Sequence, residues 1–254
     1  MFGPDVCSIM AQFIVTGANR GIGLGLVRRL TARGENVVAT TRSISAVPAD
    51  ITSSRGAGRV HWVALDAADP VSIEGFAARV AEAGVGAVDV LINNAGVSSQ
   101  AKTLDQLTAA ELHRVFAVNA FAPLLVAKAL RPMLSAGSRK LIVNISSQLA
   151  SITNNSGGST YPYRASKAAL NQLTVSMANE LRGSGGSGGS GGGGEVSGFT
   201  CLAVHPGWVR TDMGGSQAPL SVEQSVTHLI ELIDMAGPEH SGAFLNYDAT
   251  PLPW

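Results

Sequence analysis

The 254-residue chain carries 18 basic and 18 acidic side chains, no formal net charge and 45% apolar residues. That is ample material for a substantial core, and a balanced surface has no field with which to gather nucleic acid. Cys7 and Cys201 have no CxxC neighbour or metal-ligand companion, which suits a reducing, cytoplasmic setting. The opening MFGPDVCSIMAQ has no basic leader, and no apolar run approaches the ~20 residues that span a bilayer, so neither a signal peptide nor a membrane partner is expected.

In chain order, an apolar run at 11–17 (AQFIVTG) ends in glycine and precedes helical spacing over 24–32. Strand-like runs follow at 35–41 and 59–66, then helical spacing at 71–83 and a fourth buried strand at 87–93. A long helical stretch covers 104–130 with a break near Pro123. Residues 140–146 read as a fifth strand, 163–181 as a helix and 198–204 as a sixth strand, with a last helix at 222–235 and a last strand at 242–246. Strands that are apolar throughout and alternate with helices imply a parallel sheet covered on both faces. The expected fold is a single doubly wound, Rossmann-like α/β domain over 1–254 with a mostly parallel sheet of about seven strands. Ligands of such domains bind beyond the carboxyl ends of the strands. Residues 183–194 (GSGGSGGSGGGG) fall outside this scheme. They read as flexible coil with no chemical role, equally a natural insertion or an engineered joint.

Thr16-Gly17-Ala18-Asn19-Arg20-Gly21-Ile22-Gly23 lies between the first strand and the first helix. Gly17 permits a tight exit from the strand, Gly21 lets backbone approach a pyrophosphate, and Gly23 lets the helix pack close to the sheet. The second strand ends in Ala39-Thr40-Thr41-Arg42-Ser43, with no acid to bind a ribose 2′-hydroxyl. Arg42 and Arg20 can instead neutralise a 2′-phosphate; a cation at a helix N-terminus opposes the macrodipole, and a phosphate offsets that cost. NADP(H) is therefore the expected cofactor. Asp66, closing the third strand, can accept from the adenine amino group. In Asn93-Asn94-Ala95-Gly96 the amides either join strand ends or hold the adenosine ribose, while Gly96 leaves room beside the dinucleotide.

Tyr163 and Lys167 are four apart at the start of a helix, which puts them on one face. A phenol titrates near 10, and bringing it to about 7 takes about 4 kcal/mol of differential stabilisation, which an adjacent ammonium can supply. Ser146 and Ser147 end the preceding strand, where a hydroxyl can hold a substrate oxygen against the phenol. Asn119, within the long helical stretch, can position a water that relays protons to Lys167.

The combination TGANRGIG, NNAG, Asn119, ISS, YRASK and HPGWVRT resembles the short-chain dehydrogenase/reductase family over nearly the whole chain. YPYRASKAALN followed by HPGWVRTDMGG is most similar to its C-factor and sniffer-type carbonyl reductase branch. The resemblance implies that Tyr163 is the general acid–base and that Lys167 binds the nicotinamide ribose and lowers the tyrosine pKa. It implies further that Ser147 orients the carbonyl, that Asn119 supports the relay, and that Pro206, Gly207, Val209 and Thr211 line the nicotinamide. Gly17, Asn19, Arg20, Gly21, Ile22, Gly23, Arg42, Asp66, Asn93, Ala95 and Gly96 complete the expected cofactor site with Tyr163 and Lys167. Two departures from the family pattern are the added residues 153–160 between Ser147 and Tyr163, which leaves Ser146 and Ser147 both in play, and the glycine-rich 183–194.

The expected function is hydride transfer between NADPH and a carbonyl or alcohol carbon of a small, apolar substrate. Trp208 and Met213 supply the apolar hint, and Gly214-Gly215 suggests a mobile lid over 208–220. The alternative is an NADP(H)-binding signalling or regulatory protein of C-factor type with little turnover. His61, His113, His205, His228 and His240 have no metal-ligand spacing, so no metal is expected. By family likeness, helices around 104–131 and 163–182 would pair subunits into a homodimer or homotetramer.

Overall fold

A computed structural model describes residues 10–48, 51, 58–182 and 198–254. The expectations for Cys7, for the opening segment and for the insertion at 183–194 lie outside the described residues.

Seven strands form one sheet in the order β3-β2-β1-β4-β5-β6-β7, every neighbouring pair parallel. They are β1 (Gln12–Val15), β2 (Asn36–Thr41), β3 (Val60–Ala64), β4 (Val90–Asn93), β5 (Leu141–Ile145), β6 (Thr200–His205) and β7 (Phe244–Asn246). Alternate residues along each strand point to opposite faces, and both faces are apolar. Phe13, Val15, Val37, Ile92 and Val143 pack under α1 (Gly21–Ala32) and α7 (Val222–Met235) through Leu26, Leu30, Leu229 and Ile233. Ile14, Val38, Leu91 and Ile142 pack under Phe76 and Val80 of α3 (Phe76–Glu82), Leu130 and Leu134 of α5 (Ala122–Ala136), and Met177 of α6 (Tyr161–Leu181). Each such side chain buried contributes about 1.5–3 kcal/mol, so this doubly covered sheet is the molecule's rigid frame. The order reverses between β1 and β4, and the crevice opens there.

Two helical expectations differ in detail. The stretch 71–83 is two helices, α2 (Pro70–Glu74) and α3, parted at Gly75 (φ −80°, ψ 0°). The break expected near Pro123 falls earlier: α4 (Ala109–Phe116) runs into a π-helical turn, Ala117–Phe121, and α5 starts with Pro123 in its first turn. The cause is still Pro123, because an α-helix needs the N–H of residue 123 to serve the carbonyl of residue 119, and proline has none. The widened turn results, with Ala122 N–H donating five residues back to the Ala117 carbonyl. Ala109–Ala136 is long and apolar enough to cross a membrane by composition, but half of that apolar window is buried inside the protein.

A buried polar chain ties the carboxyl half of the sheet to α6. Asn93 Nδ2 donates to Asn144 Oδ1 at 2.9 Å, and Asn144 Nδ2 donates to Thr174 Oγ1 at 2.9 Å. Ser146 Oγ donates to Asn171 Oδ1 at 2.6 Å. All five are buried, where a polar group without a partner is costly. Asn144→Leu should cost about 1–3 kcal/mol of unfolding free energy in urea titrations, because it strips a partner from the Asn93 amide.

Candidate active site

The turn after β1 is shaped by backbone that only glycine adopts easily. Gly17 and Gly21 have φ of +61° and +54°, left-handed values in which a Cβ is strained. A Cβ on Gly17 would approach Ala95 Cα to 2.9 Å, and one on Gly23 would approach the Gly17 carbonyl to 2.4 Å. Thr16 Oγ1 accepts from the amides of Asn94 and Ala95 at 3.0 Å, and Asn94 Nδ2 donates to the carbonyls of Thr16 (2.9 Å) and Gly17 (3.1 Å). The Gly17 amide donates to Thr40 Oγ1 at 3.2 Å. The ends of β1, β2 and β4 are thereby joined into one wall.

That wall borders a cavity of about 1070 Å³ along the carboxyl edge of the sheet, roomy enough for an extended ligand. Gly17, Asn19, Arg20, Gly21, Ile22, Arg42, Asp66, Ala95, Gly96, Tyr163, Lys167, Pro206 and Thr211 all line it. Asn93 does not. Its amide turns into the protein, toward Asn144 and the Pro123 carbonyl (3.3 Å), so Asn94 is the asparagine at the wall. Gly23 and Gly207 act by their lack of a side chain, and Val209 is buried and bridged to Leu220. Thr16 and Thr40 were missed as site residues, while the Asn94 amide joins strand ends, one of the two roles expected for it. The signal was present, hydroxyl and amide side chains at three adjacent strand ends, but pairing order had to be known to use it.

At the other end, Lys167 is 4% exposed and donates from Nζ to the Ile145 carbonyl at 2.7 Å. Burial alone pushes its pKa down to about 8. Burial also pushes the Tyr163 phenol up from 10, opposed by a hydrogen bond from Ser147. In the protein alone, Ser147 is the group that offsets the effect of burial on the phenol. That bond also separates the two serines, since the Ser146 hydroxyl is engaged by Asn171 while Ser147 holds the phenol.

The Asn119 side chain bonds to protein groups on both of its ends. Its Oδ1 accepts from Val97 N at 2.8 Å, and its Nδ2 donates to Val97 O at 2.9 Å and to Ser166 Oγ at 3.1 Å. Both amide hydrogens are therefore used, and Oδ1 accepts one hydrogen bond from the backbone. The side chain fixes the strand following Gly96, where a Cβ would meet Asn119 Oδ1 at 3.4 Å and Lys167 Nζ at 3.8 Å.

The two segments flanking the phenol are tied down. Gly158, Ser159 and Thr160 all have positive φ, Thr160 N donates to Lys102 O at 3.0 Å, and Arg164 Nε reaches Gly158 O at 2.9 Å. Trp208 Nε1 donates to Gly214 O at 2.8 Å, and Arg210 Nη1 donates to the carbonyls of Ala218 and Pro219. The Gly214-Gly215 pair serves this folded turn rather than a loose lid: a Cβ on Gly214 would lie 2.0 Å from Val209 O, and Gly215 has φ +77°. Across the mouth, Arg20 Nη1 meets Asp212 Oδ2 at 2.5 Å, both side chains largely exposed. No group of three or more potential ligands is placed to hold a metal among the described residues.

Side chains able to exchange a proton thus face a glycine-cradled crevice suited to an extended anionic ligand, the arrangement of dinucleotide-dependent oxidoreductases. Residues 11–219 match the short chain dehydrogenase family, and the chain belongs to it. It is 41% identical over 169 residues to the C-signal protein of Myxococcus xanthus, covering 66% of this chain and 94% of that one. It is 32% identical over 252 residues to 1-hydroxy-2-glutathionyl-2-methyl-3-butene dehydrogenase of Rhodococcus sp. strain AD45, covering 96% and 100%. Among solved structures it resembles carbonyl reductase Sniffer of D. melanogaster, with a TM-score of 0.82, 31% identity and coverage of 96% and 100%. The NADPH-bound carbonyl reductase from chicken fatty liver gives a TM-score of 0.83 at 34% identity, covering 96% and 99%.

His205, at the end of β6, is 7% exposed, its Nδ1 has no partner among the described residues, and burial pushes its pKa down to about 4. Above pH 6.5 the imidazole is neutral in both states. As pH falls toward 4 the unfolded chain takes up a proton that the folded chain refuses, so stability is lost across that window. Urea titrations from pH 7 to pH 4 should show this loss, and His205→Leu should flatten it.

Proposed function

We propose that the protein is an NADPH-dependent carbonyl reductase acting on a small apolar carbonyl compound. The observation that carries this reading is the shared cavity: Tyr163 and Lys167 line one end of it, and the glycine turn, Arg20 and Arg42 line the other. The cradle fits a dinucleotide, with Gly17 and Gly21 opening the backbone to the pyrophosphate at the N-terminus of α1. The β2 end presents Arg42 and no acid, which supports NADPH over NADH. Bound NADPH supplies the hydride, and its oxidised ring the positive charge that draws the phenol pKa down.

The chain's own residues do the rest. The substrate oxygen is held by the hydroxyls of Ser147 and Tyr163, which fixes the carbonyl carbon for hydride and water-free proton transfer. As the carbon accepts the hydride pair, Tyr163 donates its proton to the oxygen and becomes a phenolate. A phenol raised above 10 is protonated at neutral pH, which suits the acid role in reduction. Lys167, charged in its pocket below about pH 8, stabilises the phenolate that forms. The carbonyl of Asn119, whose α-helical donor Pro123 lacks, takes the relay role in place of the engaged amide. Trp208 and Met213, each about half exposed, give the entrance its apolar character.

A second reading, a dinucleotide-binding signalling protein with little turnover, is favoured by the identity to the C-signal protein. Following NADPH oxidation against a panel of aldehydes, ketones and quinones separates the two: turnover supports the enzyme, and tight binding without turnover supports the signalling protein. Tyr163→Phe should keep NADPH binding and lose nearly all turnover; an unchanged rate would remove the assignment. Ser147→Ala should lower kcat and move the pH profile of the reverse, alcohol-oxidising reaction to higher pH, because the bond that favours the phenolate is gone.

A further inference from the structure

The loop after Gly96 is held from α4 by one acidic residue. Glu111 Oε1 accepts from Gln100 N at 2.7 Å and Ser99 Oγ at 3.2 Å, and both its oxygens bind Arg114, Oε2 to Nε at 2.8 Å and Oε1 to Nη2 at 3.0 Å. Arg114 Nη2 also donates to Ser98 O at 2.9 Å. This fork-to-fork geometry fixes a planar guanidinium in space, and the Glu111 carboxyl is drawn down to about 2, chiefly by Arg114. The pair is therefore ionised, and its charge cancels locally.

Arg114 also lines the large cavity. It stands one turn before Val118, which lines the same cavity together with Leu65, Asp66 and Ala67 from the end of β3. In the sheet order this end lies on the far side of β1 from β5 and β6, where Tyr163 and Lys167 sit. A dinucleotide with its nicotinamide at Tyr163 must place its other base here. A guanidinium neutralised by Glu111 is a poor phosphate site, but its plane and the two N–H groups of its remaining Nη1 offer a stacking surface and donors to a purine.

We propose that Arg114, immobilised by Glu111, is a binding residue for the adenine ring of the dinucleotide. The assignment rests on the dinucleotide reading above. It divides the ligand's recognition in two: Arg42 answers the 2′-phosphate, and Arg114 answers the base common to NADPH and NADH.

Isothermal titration of the full-length protein with NADPH, NADH, ADP-ribose and nicotinamide mononucleotide tests this. Arg114→Ala should weaken the three adenine-containing ligands by a common factor of about 2- to 30-fold, with nicotinamide mononucleotide unaffected. Arg42→Ala should weaken NADPH alone. Arg114→Lys, which keeps the cation and loses the plane, should bind ADP-ribose as weakly as Arg114→Ala, and it carries the test should the alanine variant fail to fold. Unchanged ADP-ribose affinity in Arg114→Ala, full rescue by lysine, or equal loss of nicotinamide mononucleotide would each overturn the assignment. Wild-type protein binding none of the four ligands would overturn the dinucleotide reading, and this assignment with it.

Discussion

The site depends on an ammonium held out of water. Lys167 is enclosed at the foot of α6 with the Ile145 carbonyl as its hydrogen-bond acceptor and burial as the cause of its lowered pKa. A cation in such a place is costly unless something gains from it. That cost is borne by the frame beneath: β5 and β6 lock in parallel register, Ser146 is clamped to Asn171, and Asn144 is clamped to Thr174 on α6. A slip of α6 along the sheet would break these bonds before it could release the lysine. The buried polar chain, though it touches no ligand, thus sets where the ammonium stands relative to Tyr163 one turn earlier.

The opposite end of the crevice is built by a different means. No buried charge is needed there, because the glycine turn supplies backbone and the helix terminus supplies the favourable dipole end. What is needed is close approach, and the hydrogen bonds among Thr16, Asn94 and Thr40 draw three strand ends together so that Gly17 can lie against Ala95. α1 has no acidic residue in its first turn and no side-chain cap at Arg20, so the positive end of the helix is left to an anion. The chemical end is organised by enclosure and the anionic end by exposure, within one cavity.

The fold was legible because its signals are strong and redundant. Runs such as FIV, NVVATT and VLIN can be buried on both faces only in a parallel sheet, and the glycine turn marks the first crossover. The cavity-lining motifs were legible for the same reason, since each sits at a strand end. Three things were not. Asn93 and Asn94 have the same chemistry, and only the pleat decides that Asn93 faces Asn144 while Asn94 faces Thr16. The state of the phenol depends on how enclosure and the Ser147 bond balance, which spacing along a helix does not contain. The glycine pair at 214–215 reads as flexibility from composition, yet the Val209 carbonyl leaves no room for a Cβ at Gly214, and Gly215 has φ +77°.

Pro123 shows how a local rule can be right while the form and side of the distortion go unread. A proline inside a helical pattern signals a break, and the expectation put the break near the proline without saying on which side. The missing N–H is felt four residues earlier, at the carbonyl it would have served, so the distortion settles on Ala117–Phe121 and carries Asn119 with it. In a regular α-helix the Asn119 carbonyl would be closed off by its helical donor, leaving only the amide for any polar role. Here the amide holds Val97 and Ser166, while the carbonyl beside it loses its α-helical donor to a residue that itself never touches the site.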